Sequence, residues 1–285
     1  WFSGSLKRNL YRAFGGGHKP DFLIVGAQKS GTSSLFSYLS ARDGFIGASK
    51  KEVHYFDRED NFRKGDRWYE AYFRRRRGQS GLFFEASPTY LCREKVPARL
   101  KAYKPDLKII AILREPVSRA YSAWNMYRQW SEDGIVPRSM ANDQHGREES
   151  PNYRVFIKHG CPSFSEYIDL EMDLIVRGDR EEEPSLLRRG LYKPQIERYV
   201  ERFGRDNVLV LGFNELKHDS EAVVEKCHRF LGVPYQPPAR PVVAEARNQR
   251  RYPAQIGAED LLRLQDFYAE PNRQLVDYLG FSPDW

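Results

Sequence analysis

Two glycines, a lysine and three hydroxyls stand together in Gly26-Ala27-Gln28-Lys29-Ser30-Gly31-Thr32-Ser33, a combination suited to holding one anion. Backbone N–H groups and the positive end of a following helix dipole would point at that anion, Lys29 adds a formal charge, and Thr32 and Ser33 add hydroxyl donors. A second cationic position is Arg114, which follows the apolar run Leu107–Leu113, and Ser122 lies eight residues further on, across a helix start. One can reach an anion from a strand end and the other from the first turns of a helix; an arginine paired with its neighbour Glu115 is the structural alternative. Polar residues also close a third run, where Leu82-Phe83-Phe84 passes into Glu85-Ala86-Ser87. In Lys51-Glu52-Val53-His54-Tyr55-Phe56-Asp57, the apolar positions predict a short buried strand or turn with the charged residues projecting elsewhere. Taken alone, Glu52 is one of many glutamates and His54 reads as a packed histidine.

The elements that position these residues follow from periodicity. Phe22–Val25 is a strand, and Leu35, Phe36, Tyr38 and Leu39 recur at helical spacing, so the first unit is strand, phosphate-cradling loop, helix. Further strands are expected at 82–84, 107–113 and 208–213. Helices are expected at 97–103, 118–127, 164–176, 192–203, 220–231 and 258–279, the last with a break near Pro271. Residues 131–152 read as a polar, irregular loop, and Arg74-Arg75-Arg76-Arg77 as a solvated helix face that would also suit an anionic glycan. Strands alternate with helices without internal repeats. That predicts a single α/β domain with a central, mostly parallel sheet flanked by helices and ligands at the strand carboxyl ends. A basic arm over residues 1–19 would precede one domain over residues 20–285.

The loop resembles the nucleotide loop of P-loop ATPases and GTPases but departs from it. Their lysine follows the second glycine, where this chain has Thr32, and the lysine here stands two residues before Gly31. Such proteins also end a later apolar strand in an aspartate that helps hold Mg²⁺, and here the best such strand ends at Arg114. A phosphate bound directly, without a metal, suits these residues better: a 5′-phosphate or phosphosulfate rather than a Mg²⁺-bound triphosphate.

Composition narrows the class. At 285 residues the chain can bury a sizeable core, and 14% aromatic residues argue for a folded protein. The formal charge of +7 favours anionic ligands, of which nucleic acid is only one. Cys92, Cys161 and Cys227 are widely spaced and odd in number, which suggests neither a disulfide framework nor a zinc site and mildly favours a reducing, cytoplasmic compartment. No apolar run approaches the roughly 20 residues that span a bilayer. The stretch from Trp1 to Lys19 reads as a surface arm or a truncated stem, so a catalytic domain trimmed from a Golgi-lumenal protein is the alternative setting.

Gly26-Ala27-Gln28-Lys29-Ser30-Gly31-Thr32 is similar to the 5′-phosphosulfate loop of sulfotransferases that use 3′-phosphoadenosine 5′-phosphosulfate, and Leu113–Ser122 resembles their 3′-phosphate segment. Lys51–Asp57 and the ending Phe267-Tyr268-Ala269-Glu270-Pro271-Asn272, followed by Leu279-Gly280 and a final Trp, resemble the heparan sulfate 3-O- and N-sulfotransferases. The matches run in order from about Pro20 to Trp285. The resemblance implies that Lys29 holds the bridging and sulfate oxygens and stabilises charge on the leaving phosphate. Gln28, Ser30, Gly31, Thr32 and Ser33 would bind the 5′-phosphate with it, and Arg114 and Ser122 the 3′-phosphate. Asn248, Gln249, Arg250, Arg251 and Tyr252 fall where relatives carry a basic loop over that same phosphate. Glu52 would be the base that takes the acceptor's proton, with His54 orienting it or serving as base itself. Glu85, Ser87 and Asp57 complete the expectation as acceptor contacts, and no metal is expected.

Two departures bear on the acceptor. Where the 3-O-sulfotransferases carry a polysaccharide-holding lysine after the residue matching Glu85, this chain has Ala86, and the paired cysteines before the basic loop are absent. The expected partners are therefore the sulfate-donor nucleotide and a hydroxylated acceptor, carbohydrate or small metabolite, with no nucleic acid and no membrane span. A kinase-like phosphotransferase and a non-catalytic module for nucleotides or polyanions remain the rival readings.

Overall fold

A computed structural model of the chain describes residues 17–75, 78–135, 150–179, 185–237, 252 and 255–285. Its elements in chain order begin with β1 (Phe22–Gly26), α1 (Thr32–Ser40), β2 (Gly44–Gly47), α2 (Glu59–Phe62), α3 (Asp66–Glu70) and β3 (Gly81–Ala86). Next come α4 (Lys95–Tyr103), β4 (Lys108–Leu113), α5 (Pro116–Glu132), α6 (Pro151–Phe156) and α7 (Phe164–Val176). The chain closes with α8 (Tyr192–Phe203), β5 (Val208–Gly212), α9 (Phe213–His218), α10 (Ser220–Leu231) and α11 (Ala258–Leu279). Two compact units form. One draws on the described residues of Trp1–Leu113, Gln195–Gln249 and Pro283–Trp285, the other on those of Arg114–Pro194 and Arg250–Ser282.

The first unit holds the sheet, in the order β2-β3-β1-β4-β5, and every pairing is parallel. Phe-Leu-Ile-Val in β1 and Ile-Ile-Ala-Ile-Leu in β4 are fully buried, as expected for strands covered on both faces. Phe22, Ile24, Phe84, Ala86, Ile110 and Ile112 share one face, packed with Leu35 and Leu39 of α1 and with Val223, Val224 and Cys227 of α10. The register sets Leu23 beside Glu85, so the Glu85 carboxyl belongs to the opposite face. The chain leaves β1 toward one edge and β4 toward the other, the arrangement in which open α/β sheets hold ligands at strand carboxyl ends.

The second unit is helical. Glu115 caps α5, its carboxylate accepting the Val117 and Ser118 N–H groups at 2.8 and 2.7 Å, with Pro116 at the first helical position. A capping box between Ser163 and Glu166 starts α7. Val117, Ala120, Tyr121 and Tyr127 pack with Phe156, Phe164, Tyr167, Ile168, Leu264 and Tyr268.

Three expectations are corrected. α11 runs unbroken through Pro271. A proline inside a helix costs about 3 kcal/mol or more, but Leu264 and Tyr268 before it and Leu275 and Leu279 after it are all buried and hold both halves in register. Arg74 and Arg75 lie outside any helix, Arg74 donating to the Ala71 carbonyl, while Arg76 and Arg77 fall outside the described residues. The loop expected over 131–152 is shorter, because α5 extends to Glu132 and α6 starts at Pro151; residues 136–149 are outside the described set. Among the described residues no helix is long and apolar enough to cross a membrane.

Candidate functional site

The turn after β1 folds back on itself, Ser30 N–H donating to the Ala27 carbonyl at 3.2 Å, and α1 begins at Thr32 with Gly31 as its N-cap. Gly31 has φ 87, and a Cβ there would meet Leu216 Cδ2 at 3.0 Å and Phe213 Cδ2 at 3.1 Å, so α9 walls the loop closely. α1 has no side-chain cap and no acidic residue in its first turn, which leaves the positive end of its dipole uncompensated by its own residues. Thr32 is buried and Ser33 half-buried. The Ser30 hydroxyl is completely buried and has no hydrogen-bond partner among the described residues. Leaving such a group unsatisfied costs roughly 1–3 kcal/mol.

The second cluster hangs from β3, the neighbour of β1. Val53, Tyr55 and Phe56 are buried, with Tyr55 stacked on Tyr69 at 4.7 Å and Phe56 edge-on to Tyr69, Tyr90 and Tyr103. On either side of Val53, Glu52 and His54 turn outward at φ 60 and 55, with side chains 44% and 23% exposed. Glu52 N–H donates to the Ala86 carbonyl at 3.1 Å, tying the loop to the end of β3. His54 Nδ1 lies 2.9 Å from Asp57 Oδ2 and its Nε2 3.7 Å from Glu52 Oε2, while Lys51 Nζ contacts Glu52 Oε1. The Thr89 hydroxyl donates to Asp57 Oδ2. Glu85 and Ser87 are fully buried beneath this loop, and Asp57 is 4% exposed.

Charges here are strongly coupled. Burial pushes the Glu52 pKa up, but hydrogen bonds and charge from His54 and Lys51 outweigh it and hold the carboxyl down at about 2. Burial pushes the His54 pKa down, but the Asp57 carboxylate above all, with Glu52, raises it to about 9. Asp57 is itself held below its ordinary value: burial opposes ionisation, and the His54 charge and hydrogen bond overcome it. A raised imidazole stabilises the fold fully below pH 6.5, and that contribution is lost as pH rises through about 9. The His54 ring, followed by NMR, is therefore expected to titrate near 9, and Asp57→Asn to lower that midpoint and flatten the fall in stability between pH 6.5 and 9. A midpoint near 6.5 in the unaltered protein would contradict the arrangement.

In the second unit, the Ser122 and Tyr252 hydroxyls, 130 positions apart in sequence, lie 2.8 Å from one another. Two residues singled out for one phosphate are thus brought together, Ser122 buried and Tyr252 exposed. The Arg114 carbonyl accepts the Tyr192 hydroxyl at 2.7 Å, and Glu115 is engaged in capping α5. Asn248, Gln249, Arg250 and Arg251 lie outside the described residues. No group of three or more histidine, cysteine or acidic side chains able to hold a metal occurs among the described residues. Sequence reasoning missed Tyr69, Thr89 and Tyr90 as supports of the 52–57 loop; the hydroxyls crowded at 87, 89 and 90, just after a strand end, were the available signal.

A parallel sheet whose first strand feeds a glycine-bracketed, hydroxyl-rich turn and a helix defines an α/β protein of the phosphate-loop class. Within that class the assignment is specific: residues 19–250 match the family model described as the sulfotransferase domain, and the chain belongs to that family of transferases. It is 28% identical over 222 residues to the bifunctional heparan sulfate N-deacetylase/N-sulfotransferase 4 of Mus musculus, an alignment covering 76% of this chain and 22% of that protein. To heparan sulfate glucosamine 3-O-sulfotransferase 5 of Mus musculus it is 29% identical over 170 residues, covering 56% and 48%. The chain thus spans about a fifth of the first relative and about half of the second. The crystal structure of a sulfotransferase from Alicyclobacillus acidocaldarius superposes with a TM-score of 0.67 at 27% identity, covering 93% of this chain and 97% of that one.

Proposed function

We propose that the protein moves a sulfuryl group from 3′-phosphoadenosine 5′-phosphosulfate to an acceptor hydroxyl on a carbohydrate, in line, with Glu52 as base. One observation carries the reading. Lys29, Glu52 and His54, the residues singled out for chemistry, are the non-glycine residues with positive φ among those described, at 70, 60 and 55. Each such conformation costs on the order of 1–3 kcal/mol and persists where the surroundings over-determine it, which is typical of working sites.

The donor supplies a sulfuryl group on a phosphate leaving group. Lys29 offsets the charge that grows on that phosphate, and Gln28, Ser30, Gly31, Thr32 and Ser33 hold the 5′-phosphate through hydroxyls, backbone N–H groups and the α1 dipole. Arg114, Ser122 and Tyr252, with Asn248–Arg251, are assigned to the 3′-phosphate on the resemblance. Glu52 is ionised at any ordinary pH and free to accept a proton. A carboxylate held so low takes it only as the acceptor oxygen bonds to sulfur and its proton becomes acidic. His54, an imidazolium below about 9, has no lone pair to offer, so it orients Glu52.

The heparan sulfate relatives support a carbohydrate acceptor. A small hydroxylated metabolite is the second reading, favoured by Ala86, which is fully buried in the core where the 3-O-sulfotransferases carry a lysine. A reducing, cytoplasmic setting is proposed on the three free thiols Cys92, Cys161 and Cys227. Calorimetry with adenosine 3′,5′-bisphosphate tests donor recognition: tight 1:1 binding that disappears without the 3′-phosphate is expected. Binding of any polyanion, weakening steeply with salt, would instead indicate a non-catalytic module.

A further inference from the structure

Four consecutive backbone N–H groups in the 52–57 loop are accepted by three side chains from a single short stretch. Val53 N–H donates to Glu85 Oε2 at 3.3 Å and His54 N–H to Ser87 Oγ at 3.4 Å. Tyr55 and Phe56 N–H groups share the Tyr90 hydroxyl at 2.9 and 3.4 Å. Glu85 joins the set together, because its carboxylate also accepts the Tyr69 hydroxyl at 2.8 Å and the Ser87 hydroxyl at 3.0 Å. The Asn61 amide closes the other side, donating to the Val53 and His54 carbonyls at 3.3 and 2.9 Å.

We propose that Glu85, acting with Ser87 and Tyr90, is a positioning residue that sets the left-handed backbone at Glu52 and His54, and that it does not touch the acceptor. The proposal rests on the reading of Glu52 as the base. Glu85, Ser87 and Tyr90 show no exposed surface, so none is available to an acceptor. The N–H groups of the loop must point inward for the side chains of residues 52 and 54 to point outward. That inversion needs φ values that glutamate and histidine resist, and buried acceptors for the inward N–H groups are what hold it. Val53 is the central peptide, flanked on both sides by a left-handed residue, and Glu85 is its acceptor.

The two ways of using Glu85 diverge in a pair of variants. In Glu85→Gln, the amide oxygen still accepts Val53 N–H, while the amide nitrogen faces the Tyr69 hydroxyl, which can turn to accept. In Glu85→Met, of similar size, Val53 N–H has no acceptor. Misplacing a catalytic group by about an ångström costs roughly a hundredfold, so Glu85→Met is expected to lose that much in kcat with KM for the donor unchanged. Glu85→Gln should recover most of the loss. Glu85→Met should also displace the His54 NMR titration midpoint, a readout that needs no turnover, and Ser87→Ala should do so if Glu85→Met fails to fold. Equal damage from Gln and Met, or an unmoved His54 midpoint with a raised acceptor KM, would overturn the proposal. Full activity in Glu52→Gln would instead remove the base assignment, so the two failures are distinct.

Discussion

Lys29→Ala is expected to lower kcat for sulfuryl transfer by roughly a hundred- to a thousandfold, the range found when one preorganised donor to a developing oxyanion is removed. Lys29 is the formal cation of the 26–33 loop, carried at φ 70 between Gly26 and Gly31, so its position is set by the loop and not by solvent. Alanine removes the charge while meeting the same backbone strain, so stability should change little. The start of α1 is untouched by the substitution, so adenosine 3′,5′-bisphosphate, which lacks the sulfate, should lose less affinity than transfer loses rate. The check is kcat at saturating donor beside the dissociation constant of that bisphosphate. A loss confined to binding would place Lys29 in the ground state alone.

Glu52→Gln should cost roughly 10²–10⁴ in transfer, the usual worth of a positioned proton acceptor, and spare donor binding. The amide keeps the shape of the side chain, so the salt links to Lys51 and His54 are lost with the charge but the loop anchors at Val53, Tyr55 and Phe56 remain. Because the carboxyl is held at about 2, the acid limb of the rate profile should not come from Glu52 anywhere near neutrality. Losing Glu52 also removes one of the two carboxylates that raise His54, whose midpoint should fall from about 9. Wild-type rates in this variant would move the base to another group.

Much of this was legible before the fold. Near-continuous apolar runs declared β1 and β4, and the bounds of α7, α8 and α10 fell where periodicity put them, because their packing faces are local in sequence. β2 escaped notice because Gly44-Phe45-Ile46-Gly47 has two glycines in four residues and owes its strand form to pairing with β3. α9 escaped because Leu216 is the single buried residue in its six. At the site, residue types exposed the Lys29 turn, and the family likeness raised Glu52 and His54 above other acids and histidines. What stayed hidden were links made at long range. Thr89 reaches Asp57 across 32 positions, and Val53 reaches Glu85 across the same separation. The hydroxyls crowded at 87, 89 and 90 mark a polar strand end, but nothing within either segment says that it is the 52–57 loop they support.

The most direct test is a transfer assay with radiolabelled 3′-phosphoadenosine 5′-phosphosulfate in EDTA, offered a panel of glycans and small hydroxylated compounds. The account predicts label in at least one acceptor and release of adenosine 3′,5′-bisphosphate in equal amount, with ATP inert. Phosphate transfer from ATP that requires Mg²⁺, with the label left on the donor, would contradict it.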